Sequence, residues 1–398
     1  MIPMKVLTTG LGWNELQPGG LNRYFVDYNQ ALREHGHAEL GLVVADPGMK
    51  LETSLNVANT VDHGEGGLLA RIRSVRKYTL EALESFRPDV FNPHFALYAS
   101  MISRQALPDH IPIVTHFHGP WAMESKIEED NRSAIFREAR YLMKKQVEQV
   151  TYRRSDSFIV LSEYFRDILT DHYGVDRRKI HIIPGAVEHE RFKPHSDREG
   201  LRNKLGIKSD QRLLFCARRI VRRMGIDRLI EAMRIVADHH PEVLLFIAGD
   251  GPMRSEYERQ IDKLGLSAHV KMLGRVSNEE LVEWYQAADY SIVPTITLEG
   301  FGLVTIESLA CGTPVFGTPY GGTKEILSRF SPELLFGEGT SEAIGGKLID
   351  ALGGKILLPT REDCRDHVLK HYTWSTVTSA VTDVFKEARE KRGRGRRV

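Results

Sequence analysis

Short apolar runs, many of them β-branched, alternate along the chain with longer amphipathic stretches. Several, such as VLLFIA at Val243–Ala248, are continuously apolar rather than alternating. That pattern requires burial on both faces and predicts parallel strands covered by helices. In the first half, strands are expected at Lys5–Thr9, Leu40–Ala45, Asp89–Asn92, Pro112–His116, Ser157–Leu161 and Lys179–Pro184. In the second half they are expected at Leu213–Ala217, Val243–Ala248, His269–Leu273, Tyr290–Pro294, Thr313–Gly317 and Glu333–Phe336. Helices are expected over Gly20–Glu34, Gly67–Ser85, Arg132–Tyr152, Gly225–Asp238, Pro252–Leu264, Asn278–Ala287 and Phe301–Cys311. Alternation repeated this often points to an α/β, doubly wound architecture.

Two sets of about six strands exceed one ordinary sheet. The break falls in the polar, aperiodic stretch Ile182–Gly200, with the hinge near Pro184–Lys193. The expected organisation is a Rossmann-like domain over residues 1–185, a second over 186–372, a helix over 373–390 returning to the first, and a basic disordered tail over 391–398. Doubly wound sheets bind ligands outside the carboxyl ends of their strands, so two such domains are expected to face a cleft.

Composition narrows the partners. The 398 residues carry 54 basic and 53 acidic side chains, a net charge of +1, which argues against nucleic acid as a partner. No run approaches the ~20 apolar residues of a transmembrane helix, and the apolar N-terminus is too short for a secretory signal. Cys216, Cys311 and Cys364 are sparse and lack C-x-x-C spacing, which suits a reducing cytoplasm and no structural zinc.

The strongest chemical signal is TLEGFGLVTIESLACGTPVFGTPYGGTKEI, Thr297 to Ile326. Glu299 precedes Gly300, Phe301, Gly302 and Leu303, and a helix then carries Glu307. Glycines allow close backbone approach, and a helix N-terminus offers unpaired N–H groups and the positive end of a dipole. Carboxylates there suit the diols of a sugar. The same residues also fit a glycine-rich turn with a capping Glu299 and a solvated Glu307.

This stretch resembles the nucleotide-sugar site of the retaining glycosyltransferases of family four, which have the GT-B fold. The resemblance extends along almost the whole chain: GGLNRY at Gly19–Tyr24, THFHG at Thr115–Gly119, VLSEY at Val160–Tyr164, then IAGDGP with Gly249, LGRVSNEEL, AADYSIVPT and Trp374. It implies a metal-independent enzyme that moves a hexose or N-acetylhexosamine from a nucleotide diphosphate sugar, UDP being the commonest donor nucleotide. It implies that Glu299 holds the donor sugar, Glu307 the ribose, and Arg219 the diphosphate. Gly19, Gly20, Gly249, Gly300, Phe301, Gly302 and Leu303 would line the donor, and Gly274, Arg275 and Val276 the base. His118 would lie against the reacting sugar, with Asn22, Arg23 and His94 on the acceptor side. The expected chemistry is a front-face displacement.

Two departures stand out. The family has an arginine, four residues, then Lys-Gly; here Met224 stands where the lysine is usual, so either Arg222 or Arg223 replaces it, or Arg219 and helix dipoles alone hold the diphosphate and Arg222 and Arg223 are a solvated surface pair. PGAVE at Pro184–Glu188 also differs, at the hinge. His116 and His118, at i and i+2, would form a metal site with His94, but the resemblance gives His118 another task, and no metal is expected. The acceptor is small-molecule, saccharide or lipid-linked. Two basic stretches, Ala70–Tyr78 and Phe136–Gln146, suit a peripheral contact with an anionic membrane face or ordinary surface helices. In the first, Arg71, Ile72, Val75, Arg76 and Leu80 would make the basic amphipathic face. A nucleotide-sugar epimerase and a non-catalytic nucleotide-sugar sensor are the competing readings.

Overall fold

The computed structural model describes residues 3–13, 19–44, 53–59, 68–102, 106–128 and 133–394. The chain divides into two compact units: Met1–Pro184 with Trp374–Val398, and Gly185–Thr373.

In the first unit the strands are β1 (Lys5–Thr9), β2 (Ala38–Val43), β3 (Val57–Asn59), β4 (Val90–Pro93), β5 (Val114–Phe117), β6 (Ser157–Val160) and β7 (Ile180–Ile182). They form parallel sheets of order β3-β2-β1-β4 and β5-β6-β7. A parallel bridge from Phe91 to Ile113 links the two. Leu7, Leu42, Phe91 and Ile113 lie in one core with Leu83 and Ile102. The helix Trp374–Arg394 packs in this unit: Thr382 Oγ1 meets His37 Nε2 at 2.9 Å, and Arg392 pairs with Asp156 at 2.9 Å.

The second unit has β8 (Arg212–Ala217), β9 (Val243–Ala248), β10 (Val270–Gly274), β11 (Tyr290–Val293) and β12 (Val315–Gly317), all parallel, in the order β10-β9-β8-β11-β12. VLLFIA is β9, flanked by β8 and β10, as its continuous apolar run demands. Both units are therefore Rossmann-like parallel sheets with helical crossovers.

Two expectations are corrected, and one strand appears that the pattern did not predict. Glu333–Phe336 is not a strand: Pro332, which has no N–H, opens a 3₁₀ turn over Pro332–Leu334, and only Leu335 bridges to Gly317. The short β3 shows no alternation of its own and forms by pairing with β2. The basic C-terminus continues the last helix to Arg394, supported by Lys391–Glu387 and Arg394–Glu390 pairs one turn apart; residues 395–398 lie outside the described residues. Among the described residues no helix is long and apolar enough to cross a membrane, and all three cysteines are free and buried.

Candidate functional site

In the second unit the residues singled out above gather at the carboxyl ends of β8 to β11. After β8 the chain runs through Arg218 and Arg219 into a 3₁₀ turn, Arg222–Met224, which Gly225 closes in the left-handed region at φ 67°. A Cβ at Gly225 would collide with the Pro294 carbonyl, so glycine lets this turn lie against the end of β11.

The four arginines of this segment have separate fates. The Arg218 side chain, 7% exposed, donates to Thr295 Oγ1 and to Glu299 Oε2. Thr295 Oγ1 also donates to Glu299 Oε2 at 3.0 Å. Desolvation lowers the Arg218 guanidinium to about 10, still charged at neutral pH. Arg219 is exposed, and Arg222 is exposed and pairs with Glu256 at 3.3 Å. Arg223 is buried and donates to the Leu298 carbonyl at 3.1 Å. Met224 is buried, its sulfur 3.8 Å from Thr295 Oγ1. Of Arg222 and Arg223, the latter is thus the one turned into the Glu299 loop.

That loop is strained where it carries Glu299. Leu298 has φ 54°, a conformation a branched side chain seldom adopts without compensation. Arg223 supplies it, through the bond to Leu298 O and through its own carbonyl, which accepts from Ile296 N at 2.9 Å. On the other side, Gly322 N donates to Glu299 O at 2.9 Å. A Cβ at Gly321 would collide with Glu299 O, and one at Gly322 with the Phe301 backbone. The sequence reading assigned no role to this Gly-Gly pair, although it lies within the motif; its signal was the doubled glycine at the start of a helix.

Gly302, at φ 92°, is the N-cap of the helix Leu303–Ala310, and no side chain caps that end. Its N–H groups and dipole are set for an anion. Glu307 is buried one turn further in, with Tyr285 Oη donating to its carboxylate at 3.4 Å. Gly300 and Phe301 complete the loop, with Phe301 buried. Gly249 follows β9, and a Cβ there would strike the Arg218 carbonyl. Its N–H donates to Gly274 O at 2.7 Å, so the ends of β8, β9 and β10 are locked together. Arg275 is exposed and pairs with Asp250 at 3.3 Å, and Val276 lies beside it.

The first unit carries a different cluster at its own strand ends. His94 follows β4, and His116 and His118 lie in and just after β5. His94 Nδ1 and His118 Nε2 are 2.9 Å apart, and His116 Nε2 is 3.2 Å from Tyr24 Oη. The His116 and His118 rings are parallel within 1°, at 4.8 Å. Burial among these rings pushes His118 down to about 3 and holds His94 and His116 well below the usual histidine range, so all three are neutral at pH 7. Each offers a ring nitrogen within 4.8 Å of the others, which is metal-ligand chemistry. His94 Nδ1 and His118 Nε2 face each other as a hydrogen-bonded pair, and the parallel planes of the His116 and His118 rings do not meet at one point. Tyr24 and Tyr28 wall the cluster, and Trp374 lies against both. Arg23 is buried and Asn22 half-buried on the helix Gly20–Glu34, which Gly19 opens; Gly19 and Gly20 are exposed.

Comparison with known proteins assigns the two units separately. Residues 197–370 match the family profile described as Glycosyl transferases group 1, and residues 18–191 match that described as Glycosyltransferase Family 4. Mannosylfructose-phosphate synthase of Agrobacterium fabrum is 32% identical over 193 residues, 46% of this chain and 42% of that protein. D-inositol 3-phosphate glycosyltransferase of Xylanimonas cellulosilytica is 29% identical over 62% of this chain and 60% of its own length. The matched stretch thus spans about half the length of these curated relatives. Among solved structures, sucrose-phosphate synthase of Thermosynechococcus elongatus superposes with a TM-score of 0.80 at 18% identity, covering 96% of this chain and 98% of that one. Anabaena HepE, in complex with UDP and glucose, gives 0.76 at 20% identity, covering 96% and 99%. These structures share the fold.

Proposed function

The chain belongs to the group 1 glycosyltransferases, and on that premise we propose that it moves a sugar from a nucleotide diphosphate donor to an acceptor hydroxyl with retention at the anomeric carbon. The observation that supports this most is the constellation at the ends of β8 and β11. A buried carboxylate, Glu299, is held by Arg218 and Thr295 ahead of an uncapped helix N-terminus, with a second buried carboxylate, Glu307, inside that helix. In this reading Glu307 takes the ribose hydroxyls and Glu299 those of the donor sugar. Arg219, Arg223 and the helix N-terminus take up the charge that develops on the departing diphosphate. Arg218 is a positioning residue, because it fixes the Glu299 carboxylate. The acceptor oxygen bonds to the anomeric carbon as the phosphate leaves, and the leaving phosphate oxygen takes the acceptor's proton. In the first unit, His118 and His94 serve the acceptor side as neutral imidazoles.

We take uridine diphosphate as the donor nucleotide; the complex of HepE with UDP and glucose supports the choice, whereas a mycobacterial relative is named for GDP-mannose. The acceptor is a saccharide, a small molecule or a lipid-linked glycan, and no metal takes part.

The test is a mass-spectrometric screen of UDP-, GDP- and ADP-sugars, with and without candidate acceptors, in the presence of EDTA. Free nucleotide diphosphate with a glycosylated product is expected, undiminished by chelation. Epimerised donor without transfer, or binding without turnover, would replace this reading. Loss of turnover in EDTA, restored by Mg²⁺ or Mn²⁺, would remove its metal-independence.

A further inference from the structure

The second unit has a cavity at the end of its sheet away from the Glu299 loop. Arg212 and Tyr290 open β8 and β11, and Pro314 precedes β12, so the cavity they line lies at the amino ends of the strands. Glu299 and the start of the helix Leu303–Ala310 lie at the carboxyl ends. The cavity measures about 420 Å³, a size usual for a small-molecule site. Arg198 and Arg361 complete its basic wall, and Leu358 and Pro359 give it an apolar one.

The charge there is unbalanced. Three arginines donate to the last carbonyls of the helix Asn278–Ala287: Arg198 Nη2 to Ala287 O at 2.9 Å, Arg202 Nη1 to Ala287 O at 2.8 Å, and Arg361 Nη2 to Gln286 O at 3.0 Å. A helix C-terminus presents the equivalent of about half a negative charge. Asp289 adds one carboxylate, which Arg198 meets at 2.8 Å and Arg202 at 3.2 Å, while Arg212 stands 4.0 Å away. Glu242 also feels Arg212 but is not in the wall. In the wall and directly behind it, one helix end and one carboxylate thus face four guanidiniums. Burial, and after it the charge of Arg198, pushes the Arg361 guanidinium down to about 10, still charged at neutral pH. Among the described residues, nothing accepts a hydrogen bond from Arg198 Nη1 or from the Arg212 guanidinium.

We infer that this cavity binds a small phosphorylated acid, its phosphate and carboxylate taken by the arginines and its carbon chain covered by Leu358 and Pro359. Arg361 links the cavity to the donor helix. Its Nη2 also donates to Cys311 O at 3.2 Å and to Thr313 Oγ1 at 2.9 Å. Cys311 is the C-cap of the helix that carries Glu307, and its N–H donates to Glu307 O at 3.2 Å. An anion drawing on Arg361 competes with the bond to Cys311 O and weakens the support of that helix at its far end. The bound acid therefore inhibits donor binding, a consequence that rests on the assignment of Glu307 to the ribose. The basic stretches of the first unit build no comparable site. In Ala70–Tyr78, Val75 is buried in a core with Val44 and Tyr98, and the Arg71 side chain lies outside the described residues. In the helix Ala134–Tyr152, Lys144 is buried while Ile135, Leu142 and Met143 are exposed.

The experiment is titration calorimetry of the full chain with 2-phosphoglycolate, and with inorganic phosphate and glycolate as its two halves. The whole acid is expected to bind at least about tenfold more tightly than either half, the size of one charge-assisted hydrogen bond. Arg212→Glu and Leu358→Asp should each weaken it about tenfold or more. Arg212 is exposed and Leu358 half-buried, so the thermal melts, and the UDP affinity measured without acid, should match those of the parent. Saturating phosphoglycolate should weaken UDP binding by about fivefold or more, and Arg212→Glu should need a correspondingly higher concentration. No binding by the parent, or undiminished binding by both variants, overturns the proposal. So does a loss of UDP affinity with the same concentration dependence in Arg212→Glu, because the acid then competes at the diphosphate subsite. UDP affinity that is equal with and without the acid overturns the inhibitory role. If the parent binds no UDP, the donor reading fails, and the phosphoglycolate titration still decides the cavity.

Discussion

At the scale of single residues, the decisive fact is that four nearby arginines do four different things. Arg218 and Glu299 form a buried pair, and removing one partner strands the other's charge. Arg218→Ala is therefore expected to cost about 3–5 kcal/mol of stability and to lower turnover at least ~100-fold. Adding Glu299→Ala should restore much of the melting temperature but none of the turnover. A double variant as unstable as Arg218→Ala would show that the pair is not coupled. Arg223 and Arg222 provide a second comparison. Arg223 holds the strained Leu298 and turns into the loop, whereas Arg222 faces Glu256 at the surface. Single-turnover rates should fall at least ~100-fold for Arg223→Ala and for Arg219→Ala, the size of losing one transition-state donor, and hardly at all for Arg222→Ala. Met224→Lys should keep or raise activity. Equal behaviour of the Arg222 and Arg223 variants would leave the diphosphate to Arg219 and the helix dipole.

At the scale of elements, the site is a set of strand ends and helix starts that only small residues allow to meet. Gly322 lies where a methyl group would strike the Phe301 backbone. Gly322→Ala should cost about 1–3 kcal/mol, the usual penalty of overpacking, with a larger proportional loss of turnover than of stability. Gly346 is the control: nothing lies near its missing Cβ and it sits exposed in the helix Ser341–Leu352. Gly346→Ala should stabilise by up to about 1 kcal/mol. Thermal melts of the two variants decide the point, and a silent Gly322→Ala would mean that the Glu299 loop can move aside. Elements with local stop signals were the most legible. The helix Asn278–Ala287 begins where expected because Ser277 and Glu280 form a capping box. The helix expected from Phe301 begins instead at Leu303, because Gly302 takes the left-handed N-cap conformation.

For the whole molecule, the buried histidines tie stability to pH. Among the described residues, His37, His94, His116, His118, His181 and His367, buried or half-buried, are held below the usual histidine range, chiefly by burial. Below about pH 6.5 the unfolded chain therefore binds more protons than the folded one, and stability falls as pH falls. Glu148, raised to about 7, acts in the opposite direction but is a single group. The melting temperature is expected to drop by about 4 °C or more between pH 7 and pH 5. His116→Asn with His118→Asn should flatten that slope. A melting temperature that is flat or rising toward pH 5 would refute the burial of neutral imidazoles.

What the sequence by itself determined is the alternation of buried parallel strands and covering helices, the break near Pro184, and the pair of carboxylates, Glu299 and Glu307, with Gly300 and Gly302 between them. Those features are written in short-range periodicity, caps and turn residues, which act over a few positions. The tertiary structure decided which arginine meets Glu299, since Arg218 and Glu299 are 81 positions apart. It also decided that His94 joins His116 and His118 in one neutral stack, and that the apolar side of Ala134–Tyr152 faces outward. Each depends on which strand ends and helix faces the fold brings together, and local pattern does not encode that choice.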